Sequence, residues 1–355
     1  PSEIGLVLNL LKLPKLIPIG SNFNDQFLKI TKCKKNGECK IDIKNINMFK
    51  NMVKGVISFY RGAPPVAYPK KKIIIDNVLM SDYQYKSYLT VMENTNKDAF
   101  KSGELLNLPN NFFIGARMIS NIAFPKKKIN KEGYDDFKGD YLQMGNLKNY
   151  SIKFYKILQR IKKSDGLIFV YSNFKNYGGI LSFSRVLDNN GFKNYKDNGA
   201  GEKRYAIWSG DESRKQKDEI RNVFNSKKND NGSQIRIILG SPSIKEGITL
   251  TRVSEVHIME PYWNWSLLQQ VIGRAVRYCS HKTVSKNKRN VDVYIYLAVG
   301  KTNKNTVDKY ILELANKKKD IIDDFEKALK EAAVDCKLNY HGNVFNNKDK
   351  LNCLK

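Results

Sequence analysis

The feature that most constrains the fold is an uninterrupted apolar run, Leu167–Tyr171, set between Gly166 and Ser172. A strand with one face in water alternates polar and apolar side chains. A strand that does not alternate is buried on both faces, which calls for helices above and below a parallel sheet. Further strands are predicted at 204–208, 235–239, 253–259 and 291–299. Helical periodicity predicts helices at 152–161, 180–187, 214–224 and 266–277, the second closed by Asn189, Asn190 and Gly191. Strands alternating with helices of this length predict an α/β fold with a parallel sheet covered on both faces. Residues 305–337 read as a long, charged amphipathic helix.

The first 150 residues are less regular. Ile4, Leu8 and Leu11 follow a helical spacing before Pro14 and Pro18, and a lysine-rich stretch then runs to a breaker at Arg61–Pro65. Lys72–Asp76 reads as a short strand. Ser81 reads as a helix N-cap with Gln84 at the capping-box position. Residues 94–150 are polar and weakly periodic, and read as an insertion or linker. The resulting division is 1–65, a mostly helical N-terminal region; 66–150, a linker or insertion; 151–300, the α/β domain; and 301–355, a helical extension and tail.

Composition narrows the function. Among 355 residues, 62 Lys and Arg face 35 Asp and Glu, a formal charge of +27. Such an excess points to a polyanion, most often nucleic acid. Heavy use of Asn, Lys, Ile and Tyr also fits an AT-rich genome, which by itself inflates lysine. No run of 18 apolar residues exists, so no membrane partner is expected. The start has no basic segment or small-residue cleavage site of a secretory signal. Cys33, Cys39, Cys279, Cys336 and Cys353 are odd in number and scattered, so we expect no disulfide framework and an intracellular, reducing compartment. His257 falls mid-strand as a core residue, and His281 with Cys279 lacks further ligands at metal-binding spacing.

Two strings carry chemistry. In the first, Gln270, Gly273, Arg274 and Arg277 fall at i, i+3, i+4 and i+7, so they share one face of the predicted helix. Gly273 leaves room for another backbone. Two guanidiniums one turn apart suit a triphosphate, because each offers a fork of donors to phosphoryl oxygens. In the second, Ser241, Ser243, Lys245, Glu246 and Gly247 follow the strand ending at Leu239, at the carboxyl edge where open α/β sheets bind ligands.

Taken in order, these strings resemble motifs V and VI of superfamily 2 helicases and translocases. Tyr171–Phe174 is similar to motif IV, and Ser209 with Gly210 to the strand-end pair that meets the nucleic-acid backbone in the same lobe. Phrases at Gly55–Gly62, Met80–Gln84 and Ala333–Cys336 narrow the resemblance to helicases of large cytoplasmic DNA viruses. That group includes poxvirus nucleoside triphosphatase I and the small subunit of the early transcription factor, and lies further from Swi/Snf-type remodelling ATPases. The resemblance implies a RecA-like C-terminal lobe in an ATP-dependent helicase or translocase. Arg274 and Arg277 would reach the γ-phosphate, with Gln270 setting their geometry. Glu246, Gly247 and Gly273 would border the nucleotide. Ser172, Asn173, Ser209, Gly210, Ser241 and Lys245 would meet the nucleic-acid backbone without reading its sequence. The implied partners are DNA or RNA, an N-terminal RecA-like lobe and a viral RNA polymerase, in the virion and host cytoplasm.

The family pattern is incomplete here. The sole Gly-Lys-Thr, Gly300–Thr302, has Ile295 where a Walker A loop needs a glycine, and reads as a strand-to-helix turn. Asp211 and Glu212 follow Ser209 and Gly210 instead of closing an apolar strand, so they make a poor Walker B pair. Thr249 stands where many relatives carry Asp, which unsettles a ribose contact there. We therefore expect a C-terminal part, with the ATP pocket and its Mg2+ ligands completed by a missing first lobe. A non-catalytic nucleic-acid-binding scaffold in a viral transcription complex is the alternative.

Overall fold

The computed structural model describes residues 3–11, 16–31, 40–93, 113–127, 130–245, 247–301, 305–346 and 349–354. These fall into two compact units, one built from residues up to 66 and from 315 onward, the other from 67 to 314.

In the first unit, α1 (Glu3–Leu8) and α2 (Gly20–Phe27) precede an antiparallel pair, β1 (Leu28–Thr31) and β2 (Lys40–Ile43), then α3 (Ile46–Val53). Its core is a knot of rings. Phe23 and Phe27 lie 4.9 Å apart, and Phe49 meets Phe325 at 5.0 Å in an edge-to-face contact. The two ends of the chain, separate regions in the sequence reading, thus share one core. A Phe at 49 and a Phe at 325 leave no local signal of their pairing. Cys336 and Cys353, expected to be unbridged, form a disulfide, while Cys279 is free. Cys33 and Cys39 lie outside the described residues.

In the second unit, β3 (Lys70–Leu79) and α4 (Asp82–Glu93) lead to α5 (Ile114–Asn121), α6 (Lys131–Asp136), α7 (Met144–Tyr150) and α8 (Ile152–Lys163). Then follow β4 (Leu167–Tyr171), α9 (Ile180–Asn189), β5 (Lys193–Asn194), α10 (Tyr195–Asn198), β6 (Arg204–Trp208) and α11 (Arg214–Asn225). Next come β7 (Ile237–Gly240), β8 (Val253–Ile258), α12 (Trp265–Ile272) and β9 (Asn290–Val299). The helix α13 (Val307–Ala332) begins here and continues into the first unit, which also holds α14 (Tyr340–Asn343).

Among the described residues the sheet has seven strands in the order β3-β9-β8-β4-β7-β6-β5, all parallel. This is the parallel α/β sheet, with helices on both faces, expected from the sequence. All of β4 is buried: Leu167, Phe169 and Tyr171 pack on one face with α11 and α12, and Ile168 and Val170 on the other with α8 and α9. The helices start where local chemistry dictates. Ser151 accepts from the Phe154 N–H at 3.0 Å, Ser213 and Gln216 close a capping box, and Asn264 accepts from Ser266. Ser81 caps α4 as expected, but Gln84 does not reach back to it. Gln84 is buried, and its amide donates to the carbonyls of Ile119 and Ser120.

The linker assigned to 66–150 is replaced by structure wherever it is described. β3 pairs with β9 from Lys70 to Leu79, and Ile122, Phe124, Phe137, Leu142 and Leu147 are buried beside α8 and α9. Their contacts come from short helices and turns, so the buried positions follow no single period. Residues 94–112 lie outside the described residues.

Strand order marks where a ligand is expected. The neighbours β4 and β8 are followed by α9 on one face and α12 on the other. Chains leaving toward opposite faces mark the switch point whose carboxyl edge is the usual ligand position in an open α/β sheet.

Candidate nucleotide and nucleic-acid site

Three neighbouring strands end in a row. The Ser172 N–H donates to the Gly240 carbonyl and the Ser241 N–H to that of Trp208, so the residues after β4, β7 and β6 lie side by side. Gly240 lets them close up, since a Cβ there would lie 2.7 Å from Phe169 Cε2. Lys175 and Asp211 form an ion pair between the loops after β4 and β6. The expected serines do not face outward. Ser172, Ser209 and Ser241 are all buried. The Ser172 hydroxyl donates to Glu260, and the Ser209 hydroxyl accepts from the Asp211 N–H. Gly210 and Ser243 are exposed, and Asn173 is half-buried with its Nδ2 lacking a hydrogen-bond partner. Only the backbone of Lys245 is described, and Glu246 lies outside the described residues.

Behind this row stands an acidic pedestal that the sequence reading missed. Glu260 is buried just past the end of β8 and accepts from the Ser172 hydroxyl at 3.0 Å, from the Asn173 N–H and from Asn121 Nδ2 at 2.8 Å. Burial raises its pKa, while Lys153 and Arg117 pull the other way. Lys153 donates to Asn121 Oδ1 at 2.9 Å and pairs with Asp308 at 2.6 Å, both side chains fully buried. The guanidinium of Arg117 sits 5.0 Å from the ring centres of Phe174 and Trp263. A charged residue on the apolar face of a predicted helix, as Lys153 is, was the available signal.

The two arginines converge. Nη1 of Arg274 and of Arg277 each donate to the Ile248 carbonyl at 3.4 Å, and Arg277 also donates to Thr249 Oγ1 at 2.8 Å. Gly247, at φ +77° with nothing within 4 Å of where a Cβ would stand, makes the turn that brings this loop round. Thr249 holds an arginine, whatever it does for a ribose. Two expectations need correction. The helix ends at Ile272, so Arg277 lies past it in a turn, its N–H donating to Ser280 Oγ at 3.3 Å. Gly273 opens onto no foreign backbone, because a Cβ there would meet only its own helix, 3.0 Å from the Gln269 carbonyl. Gln270 is exposed on α12.

The remaining candidates are structural. His257 bonds the Tyr296 hydroxyl at 2.8 Å and stacks on Tyr294. Lys301 pairs with Asp82 at 2.6 Å, as befits a turn between β9 and α13, and Thr302 lies outside the described residues. Among the described residues no group of three or more His, Cys, Asp or Glu is placed to hold a metal ion, and no helix is long and apolar enough to cross a membrane.

Residues 152–279 match the helicase conserved C-terminal domain. The chain is 46% identical to a putative ATP-dependent RNA helicase of Acanthamoeba polyphaga mimivirus, over 99% of its own length and 61% of the relative's. It is 30% identical to a putative helicase of Invertebrate iridescent virus 3, covering 77% of this chain and 29% of that one. It is 26% identical to the termination factor NPH-I homolog of African swine fever virus, covering 75% and 46%. The chain thus spans less than two thirds of the length of each of these relatives.

Proposed function

Because the chain carries a helicase conserved C-terminal domain and is related to putative helicases of large DNA viruses, we propose that it is the C-terminal part of an ATP-dependent enzyme moving along nucleic acid. The observation that carries this reading is the convergence of Arg274 and Arg277 on the Ile248 carbonyl, beside the turn at Gly247. Arg277 is exposed, with Thr249 bracing one nitrogen and the rest of its fork open to a γ-phosphoryl group. As the phosphoryl group leaves, charge builds on its oxygens, and fixed guanidiniums offset it. Walker A, Walker B and the Mg2+ ligands belong, on this reading, to a first RecA-like lobe outside these 355 residues.

The nucleic-acid track is the row of strand ends. Asn173, Gly210 and Ser243 are its accessible members. Ser172, Ser209 and Ser241 shape the row from beneath. Such contacts go to phosphates, so binding is independent of sequence and falls with salt. Movement follows from closure of the two lobes around ATP. On the same reading the enzyme works in viral transcription, in the virion and host cytoplasm, with the viral RNA polymerase as a partner.

The test uses the chain alone and the chain joined to its first lobe. Alone, it binds oligonucleotides of unrelated sequence alike, with a steep log–log salt slope, and hydrolyses no ATP. Joined, its nucleic-acid-stimulated turnover falls by about 10³ or more in Arg277→Ala. Robust hydrolysis by the chain alone would overturn the two-lobe reading. Turnover unchanged in Arg274→Ala and Arg277→Ala alike would overturn the role given to the two arginines.

A further inference from the structure

The turn after Arg277 presents an aromatic pair with no part in the arginine site or the strand ends. Tyr278 is the next residue and is 57% exposed; Tyr68, 38% exposed, meets it edge to face, ring centres 6.1 Å apart at 69°. In such a pair, one ring keeps both faces open and the other keeps one. The contact orients the rings and still leaves a flat apolar surface toward solvent.

The backbone beneath is pinned with unusual thoroughness. The Cys279 N–H donates to the Ala67 carbonyl at 2.9 Å, which ties the turn to the segment carrying Tyr68. The Ser280 hydroxyl bonds the carbonyls of Ala275 and Arg277 at 3.1 and 2.9 Å, and the Ser280 carbonyl accepts from the Arg252 N–H at 3.1 Å. His281 bonds the Val253 carbonyl at 2.9 Å. Cys279 itself sits at φ +53°, a left-handed conformation that a residue with a Cβ rarely adopts. Backbone of this kind persists where its surroundings over-determine it, and it concentrates at ligand clamps. Here it fixes the directions of Arg277 and Tyr278 together.

We propose that Tyr278, backed by Tyr68, is the stacking platform for the base of the nucleotide whose phosphates Arg274 and Arg277 take. This rests on the nucleotide-binding reading of the arginine pair. The ligand class is a nucleoside triphosphate with any aromatic base, because every base has a π face and stacking does not read its edge. The platform therefore favours nucleotides over bare phosphates and discriminates weakly between adenine and guanine.

The experiment uses the chain as it stands and ligand-detected NMR, which reads weak binding. The probes are ATP, inorganic tripolyphosphate and a short oligothymidylate. Wild type should bind ATP about tenfold more tightly than tripolyphosphate, the scale of one stacked base. Tyr278→Ala should bring ATP down to the tripolyphosphate level, and Tyr278→Phe should keep the preference. Arg277→Ala should weaken ATP and tripolyphosphate together. Equal binding of ATP and tripolyphosphate by wild type, or a preference that survives in Tyr278→Ala, overturns the platform while the arginine reading stands. If Arg277→Ala changes neither ligand, or neither binds wild type, the arginine reading falls and the platform with it. If Tyr278→Ala weakens only the oligothymidylate, the rings serve the nucleic-acid strand and the proposal is overturned.

Discussion

Replacing Lys153 by Met tests whether the buried charges hold the turn after β4 in place. Lys153 and Asp308 are 2.6 Å apart with no exposed side-chain surface, and Lys153 also donates to Asn121, which holds Glu260. Methionine fills nearly the same volume, so the change removes charge and two donors more than packing. It leaves Asp308 in the interior without its counter-ion and takes from Glu260 the largest influence holding its pKa down. Breaking one side of a buried pair costs about 3–5 kcal/mol, because the remaining charge is uncompensated. Against a total stability of about 5–15 kcal/mol that is a large fraction. Urea unfolding followed by fluorescence of Trp208, Trp263 and Trp265 measures it. Adding Asp308→Asn removes the stranded charge and keeps an acceptor for the Ala298 N–H, now donated to Asp308 Oδ2 at 2.8 Å. The double variant should therefore recover more than about 1 kcal/mol over the single one. The pH dependence has a definite sign. Glu260 titrates above its unfolded value, so its contribution to stability is lost as pH rises through the window between the two. Lys153→Met widens that window, and its deficit shrinks as the pH falls toward the ordinary carboxylate range. A loss under about 1 kcal/mol, or a double variant no better than the single, would refute the reasoning.

Two further substitutions probe the strand ends and the arginine pair. Gly240→Ala puts a Cβ 2.7 Å from Phe169 and 2.9 Å from Ile244, so it should cost about 1–3 kcal/mol in urea unfolding; a neutral result would mean the strand ends are not tightly closed. Thr249→Val keeps the shape beside Arg277 and removes its acceptor. Turnover of the two-lobed protein should fall roughly tenfold with folding intact, a charged hydrogen bond's worth, and no change would show that Arg277 does not depend on that brace.

How much of this was written plainly in the sequence depends on range. β4 was legible because both faces of one strand are buried, which local composition records directly. The ends of β4, β6 and β7 could be found the same way, and with them Ser172, Ser209 and Ser241. Whether those serines faced outward was not legible. Ser172 is turned inward by Glu260, 88 residues further along the chain, and Ser209 by the backbone of Asp211. The arginines show a subtler limit. A helical wheel put Arg274 and Arg277 on one face, and they do converge, but the helix stops at Ile272. Their meeting point is the Ile248 carbonyl, reached through a turn that only Gly247 signals.

The pedestal and the arginine pair respond to different loads, and this separates fold from function in the site. Glu260, Asn121, Lys153 and Asp308 are bonded to one another and turned from solvent. They hold backbone in place from the interior. Arg277 and Tyr278 stand exposed on a turn pinned beneath them by the Ser280 hydroxyl and the Cys279 N–H. A substitution in the first group should move stability and nucleic-acid binding together, since on the proposed reading the turn it supports belongs to the track. A substitution in the second should move nucleotide handling with stability unchanged. Lys153→Met and Arg277→Ala, measured side by side for both quantities, therefore distinguish a site built on a rigid base from one in which all these residues share a single load.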